Sequence, residues 1–296
     1  MLRLLCIITL LSCLQSCQTN TQNLEKNKRT EIDSLEVDFW NGNRSEIRQH
    51  YESDVLQAVL EVTSNEFGAF QLIESRKEYP GVEESRAFSH KKHDVLVTVA
   101  GNQKFKENEV IMISKPLAKN LLGYRIPIIK EKNQAKLANA KNIKKLVHGI
   151  PKTWSDATIF KYNEFAISEE GDFSDIFERL TSDNFDYTTF GANEVKSIYQ
   201  NRDLKNKGLV IEESTLLFYP FPLVFYVNPK NETLAKRINT GLQTIEENGT
   251  LDAIFQDYYG SLVKDLNLTK RELITLSNPL IPKSLIGIQP NLVQAK

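Results

Sequence analysis

Three groups of side chains in this sequence have the types and spacing to do chemistry: the cysteines, one histidine pair, and scattered arginine, lysine and aromatic positions. The cysteines are Cys6, Cys13 and Cys17, so no thiol occurs beyond position 17. That placement excludes a disulfide framework, a zinc–thiolate cluster and a cysteine nucleophile from the rest of the chain. His90-Lys91-Lys92-His93 sets two imidazoles at i, i+3. Two intervening lysines and no neighbouring cysteine argue against a metal there. The chain carries no Gly-x-Ser-x-Gly elbow, no phosphate loop and no dinucleotide fingerprint, so no cofactor is expected. Asn231-Glu232-Thr233, Asn248-Gly249-Thr250 and Asn267-Leu268-Thr269 match the glycosylation acceptor pattern, and two of the three coincide with helix caps, which is cause enough.

The early cysteines have a different chemistry open to them. Arg3 precedes an apolar run over 4–11 that then breaks into small and polar residues, the outline of a secretory signal peptide. The run is well short of the about 20 apolar residues needed to span a bilayer. Leu14-Gln15-Ser16-Cys17 resembles a bacterial lipoprotein box, which makes Cys17 the expected site of lipid attachment and new N-terminus. Cys13, in Leu10-Leu11-Ser12-Cys13, is the alternative, and an ordinary signal peptide with incidental cysteines is a third reading. On this basis 1–16 is a signal peptide and 17–34, polar and rich in Thr, Asn, Gln and Lys, a tether between lipid and domain. The expected location is the periplasm or cell surface, where a cysteine-free domain suits an oxidising compartment.

Removing 1–16 takes away Arg3 alone among the charges, leaving 36 basic against 38 acidic side chains, a net of −2. No nucleic-acid footprint is visible in that balance. About 280 residues suit two lobes or one large one.

Short β-rich runs alternate with helical patterns from Val37 onward, which predicts an α/β fold with a mostly parallel sheet. Strands are expected at 35–40, in "DVLVTVAG" (94–101), "VIMIS" (110–114) and "GYRIPIIK" (123–130). Tyr51, Val55, Leu56, Val59 and Val62 place one apolar stripe on a helix over 46–64. A second alternation follows: "KKLVHGI", a helix opened by Ser155 or Asp156, "EFAI", a helix through Ile176, Phe177 and Leu180, and "FDYTTF". It has the pattern of a separate lobe. In "LLFYPFPLVFYVNPKN" (216–231) two prolines interrupt an aromatic strand, so that segment belongs at an edge or at a crossing between lobes. Asn231 caps a helix with Leu234, Ile238, Leu242 and Ile245 on one face, Asn248-Gly249 ends it, and Thr250 opens the last helix.

"KNETLAKRINTGLQTIEENGTLDAIFQDYYG" (230–260) resembles the closing segment of the family 3 extracellular solute-binding proteins, the receptors that feed amino-acid uptake systems. In that family a helix, an Asn-Gly-Thr turn, a second helix and an aromatic-Gly ending follow the return strand. "DVLVTVAG" is similar to the family's Asp-led strand. "ISKPLAKNLLGYRIPII", "TWSDATI", "FYPFPLVFYV" and "LSNPLIP" resemble a divergent subgroup. The resemblance implies a two-lobed periplasmic-binding-protein type II fold with two interlobe crossings, near 124–130 and 217–223. Lobe 1 would comprise 35–124 plus 222–296, and lobe 2 would comprise 125–221. It also implies a cleft that closes on a small molecule.

Carried onto these residues, the family's carboxylate-binding arginine falls at Lys104, which keeps the charge and loses the bidentate fork. The Gly-Thr turn that offers N–H groups becomes Pro151-Lys152, where the proline has none to give. Asp156 at the next helix start would repel an anion. The aspartate for an ammonium falls at Gly191, with Glu194 as a substitute or a solvent-facing helix residue. An ordinary α-amino acid is therefore not the expected ligand. Trp40, Tyr124, Trp154, Phe190 and Tyr219 favour a flatter or less charged molecule, and Arg125 is the best remaining anion partner or an interlobe ion pair. The expected ligand-binding set is Trp40, Lys104, Arg125, Trp154, Phe190 and Tyr219. The expected role is non-enzymatic: a monomeric solute-binding lipoprotein serving an ABC-type transporter permease. The alternatives are the ligand-sensing partner of a membrane signalling receptor and a degenerate cell-wall-associated enzyme accessory.

Overall fold

The computed structural model describes residues 34–291 except 91, 138 and 139, so Cys17 and nearly all of the expected tether lie outside it. In chain order the strands are β1 (Leu35–Trp40), β2 (Phe70–Ser75), β3 (Val95–Val99), β4 (Ile111–Met112), β5 (Tyr124–Lys130) and β6 (His148–Ile150), followed by β7 (Ile167–Glu169), β8 (Tyr187–Gly191), β9 (Leu209–Ile211), β10 (Thr215–Phe218), β11 (Leu223–Val227) and β12 (Glu272–Thr275). They form two sheets. One has the order β2-β1-β3-β11-β4; the other runs β12-β10-β5-β8-β6-β7, with β9 also paired to β5.

The longer helices are α1 (Glu46–Val62), α2 (Ser155–Tyr162), α3 (Ile176–Thr181), α4 (Val195–Asn201), α5 (Glu232–Glu247) and α6 (Thr250–Tyr259). On α1 the side chains of Tyr51, Val55, Leu56, Val59 and Leu60 are buried, because a 3.6-residue period brings them to one face. That face packs on α5 and α6. Leu234, Ile238, Leu242 and Ile245 of α5 are buried as their spacing predicts. Gly249, at φ +82°, turns the chain from α5 into α6, a conformation that costs a residue without Cβ nothing.

The sheets are mixed. Parallel pairing joins β1 to β2 and β3, β6 to β7 and β8, and β10 to β12. Antiparallel pairing occurs wherever β5 or β11 takes part: β5 with β8, β9 and β10, and β11 with β3 and β4. The mostly parallel sheet expected from the βα alternation is corrected by these strands, which carry the chain between lobes and run against their neighbours.

The chain leaves the first sheet after β4 and enters the second as β5. It returns between β10 and β11, at 219–222. Pro220 and Pro222 fall between those strands, outside both ladders, where a missing N–H costs no hydrogen bond. Their carbonyls are used instead: Pro222 O accepts from Ala100 N (2.9 Å) and Pro220 O from Asn278 Nδ2 (2.7 Å). β12 pairs parallel with β10 in the second sheet, although everything after 222 was expected with lobe 1. The chain thus enters the second sheet once more. The tail then lies along the crossings, with Leu276 N donating to Phe218 O (2.7 Å) and Asn291 N to Tyr124 Oη (2.6 Å). Among the described residues no helix is long and apolar enough to cross a membrane.

Candidate functional site

A cavity of about 440 Å³ lies between the two sheets' lobes and is lined from both. Its first wall is polar. The β1–α1 loop brings Asn43, Arg44 and Ser45, the first turn of α1 brings Arg48, and the end of β3 with its following turn brings Thr98, Asn102 and Lys104. Asn43 sits at φ 57°, a backbone region that asparagine tolerates. Its Nδ2 donates to Tyr79 O (2.6 Å) and Glu84 Oε1 (2.7 Å), holding the 78–84 segment over the cleft.

The second wall is largely aromatic. The β6–α2 loop supplies Thr153 and Trp154, the β7–α3 loop Phe173, and the end of β8 Phe190. Trp154 stacks on Phe173 (centroids 6.1 Å, 27°) and meets Phe190 edge-on (6.1 Å, 84°). Arg202 covers Phe173 at 4.9 Å. Thr153 has φ +71°, a strained setting for a β-branched residue and one that clusters at functional sites. Its Oγ1 is buried without a hydrogen-bond partner, as are Ser45 Oγ and Arg125 Nε, all three in residues that line the cavity.

The two walls touch. A Cβ on Gly81 would stand 2.7 Å from Thr153 Oγ1, so only a glycine lets the lobes approach this closely there. Asn201 Nδ2 also reaches Glu46 Oε2 across the cleft at 3.3 Å.

A chain of charges runs along the cleft floor. Glu52, fully buried, takes Arg44 at 2.5 Å and Arg48 at 2.8 Å. Arg48 then spans the lobes to Glu194 (3.4 Å). Glu194 Oε1 lies 3.9 Å from Arg125, whose Nη2 contacts Asp156 Oδ1 at 2.8 Å. Tyr219 closes the series, its hydroxyl donating to Asp156 Oδ1 (2.6 Å). Burial opposes the charge on Arg48 and Arg125, but their carboxylate partners outweigh it and both pKa values move up. Burial wins at Arg44 and lowers it against Glu52. Burial above all, with the Asp156 and Glu194 carboxylates, drives the Tyr219 phenol well above its usual range against the opposing charge of Arg125, so it stays a donor.

Four of the residues expected to bind ligand, Lys104, Arg125, Trp154 and Phe190, line the cavity. Two do not. Trp40 is 1% exposed and stands behind the first wall, its Nε1 donating to Lys77 O (2.8 Å) and its ring against Tyr79 (5.4 Å) and beside a separate 80 Å³ space. Tyr219 lies beneath Asp156. Lys104 pairs with Glu84 (2.8 Å), so its charge is met within its own lobe. Arg125 does not bridge lobes: Asp156 and Glu194 belong with it to the second, and the bridging arginine is Arg48.

Glu194 is 7% exposed, lines the cavity and accepts from Gly191 N (3.3 Å), which corrects the expectation of a solvent-facing residue. Gly191 has no room for an aspartate, because a Cβ would meet Leu122 Cδ1 at 2.6 Å and its Cα at 2.9 Å. Sequence reasoning missed Asn43, Arg44, Ser45, Arg48 and Phe173. A signal for part of this existed, since Arg44, Arg48 and Glu52 recur at four-residue spacing across the start of α1, the last two as an i, i+4 pair on the helix.

No family model matches the chain, and no curated protein does. Solved structures do. An ancestral arginine-binding protein bound to arginine superposes with TM-score 0.52 at 17% identity, over 76% of this chain and 98% of that one. A Salmonella typhimurium periplasmic binding protein of high arginine specificity gives TM-score 0.55 at 12% identity, over 76% and 99%. A histidine kinase sensor domain with similarity to periplasmic binding proteins gives 0.56 at 13%, over 78% and 98%. The chain has the two-lobed α/β fold of periplasmic binding proteins, as its sequence leads one to expect.

Proposed function

We propose that this chain is an extracytoplasmic receptor that captures a small molecule between its lobes and presents the closed form to a membrane transporter, moored to the membrane through lipid on Cys17. The observation that carries the reading is the cavity itself. It has about 440 Å³, within the roughly 300–1,000 Å³ typical of small-molecule sites, an aromatic wall facing a polar one, and three buried polar atoms left without partners. Binding rather than catalysis is the reading the structural neighbours support, since those reported are binding proteins and a sensor domain. The sensor-domain neighbour supports a second reading, in which the closed form is read by a signalling receptor and nothing is transported.

A thermal-shift screen of metabolites on 34–296 tests capture: a ligand at a hundred times its dissociation constant stabilises by about 2.7 kcal/mol. X-ray scattering with and without the hit tests closure. No shift across a broad set rejects the proposal. For the mooring, Cys17→Ala should release the full-length product from membranes into the soluble fraction, and a variant still sedimenting with membranes counts against Cys17.

A further inference from the structure

A receptor for a free carboxylate needs a cation with nothing on it. In this cleft Arg48 and Arg125 are the central cations, one from each lobe, with Lys152 and Arg202 at its exposed rim, and Glu194 lies 3.4 Å from the first and 3.9 Å from the second. Glu194 is anchored by the Gly191 N–H and is buried, so it cannot swing into solvent to make room without losing contacts on three sides. Glu52 also holds Arg48 at 2.8 Å and Asp156 holds Arg125 at 2.8 Å, so of Arg125 the Nε is the buried donor left without a partner.

We infer that Glu194 acts as an internal substitute for a ligand carboxylate, so that the cleft rejects acids and takes uncharged, ring-bearing molecules. The ring seats on Trp154 and Phe173, and its polar edge meets Ser45 and Thr153. This rests on the reading of the cavity as a ligand site and adds the chemical class of what enters. Glu194 and Asp156 already flank Arg125, so an incoming carboxylate would have to displace Glu194 from its cations or join the two as a third like charge. An uncharged amide meets no such opposition and can satisfy the buried hydroxyls. The aromatic wall supplies contact area that is indifferent to charge.

Matched probes that differ only in that group make the test: nicotinamide against nicotinate, indole-3-acetamide against indole-3-acetate, and N-acetylphenylalaninamide against N-acetylphenylalanine. Thermal shift is read on the full chain for every pair, and tryptophan fluorescence for the two pairs without an indole; of the two tryptophans Trp154 lines the cavity and Trp40 is buried away from it, so a change is assigned to Trp154 when Trp154→Phe abolishes it. The wild-type protein should favour the amide of at least one pair by tenfold or more. Glu194→Gln keeps the shape and the acceptor for Gly191 N–H, and should bring the acid of that pair level with or ahead of its amide. Adding Arg48→Gln to that variant should remove the acid's gain, and Glu194→Asp should keep the original preference.

Acids that bind the wild type as well as amides, a preference unmoved by Glu194→Gln, or no response from any pair in any variant overturns the inference. A carboxylate ligand found in a broad metabolite screen, independent of Glu194, would do the same while leaving small-molecule capture intact. Silence across that broad screen would remove capture as well.

Discussion

The two walls of the cleft are built from different materials. The first lobe presents Asn43, Arg44, Ser45, Arg48 and Asn102 from the ends of strands and the start of α1; the second presents Trp154, Phe173 and Phe190 from loops and a strand end. Each lobe also handles its buried arginines differently. Arg44 and Arg48 share one carboxylate, Glu52, whereas Arg125 alone serves two, Asp156 and Glu194. Within this buried cluster the first lobe therefore has surplus positive charge and the second surplus negative. Arg48–Glu194 is where they meet, which teaches that the contact between the lobes and the balance of buried charge are one arrangement.

Removing a charge where it is unique should hurt most. Arg125→Met leaves Asp156 buried with no cation and Glu194 with Arg48 alone, and a loss of about 3–5 kcal/mol is expected in urea denaturation. Arg44→Met should cost clearly less, since Arg48 still holds Glu52; equal losses would erase the contrast between lobes. The aromatic wall comes next. Trp154→Ala should weaken a hit from the metabolite screen by roughly ten- to a hundredfold, about 1.5–3 kcal/mol, because one wall of the site is lost. Calorimetry showing unchanged affinity would place binding on the polar wall alone.

A smaller, pH-driven effect singles out the second lobe. His148 is buried against Tyr187 and Phe160, and burial, aided by Arg125, pushes its pKa well below 6.5. The unfolded chain then binds a proton that the folded one refuses, so stability falls as pH drops below about 6.5. The slope is at most about 1.4 kcal/mol per unit until the depressed folded value is reached. Denaturation at pH 7.5 and 5.5 should show that loss, and His148→Gln should flatten it. Smallest of all is Lys104→Met. With its ammonium already on Glu84, ligand affinity should change less than about threefold while stability falls by up to about 1 kcal/mol; a large affinity loss would return Lys104 to the ligand.

Much of the frame was legible because local rules govern it. Pro220 and Pro222 marked the return crossing, since neither can donate to a ladder. The stripe on α5 and the Asn248-Gly249 stop follow from helical period and left-handed tolerance. β2 carries a readable alternation in Phe70-Gln71-Leu72, half-buried and exposed in turn. β12 was not readable: Glu272-Leu273-Ile274-Thr275 is short and mostly exposed, and its only claim to be a strand is its pairing with β10, about 57 residues earlier. The cleft was legible in part. Lys104 was placed by the family resemblance and Arg125, Trp154 and Phe190 by the reading of strands, loops and crossings, but the sequence contains nothing to say that Lys104 is spent on Glu84, or that Trp40 faces inward.

By itself the sequence determined most of the elements, their order, the crossing at the prolines and the confinement of thiols to 1–17, because backbone propensity, periodicity and composition act over a few residues. Only the tertiary structure decided which charges meet. Arg48 and Glu194 are separated by 146 positions, and an ion pair between them exists solely because two lobes bring α1 and the β8–α4 turn to one cleft. Electrostatic energy depends on distance in space and on burial, and neither is written along the chain.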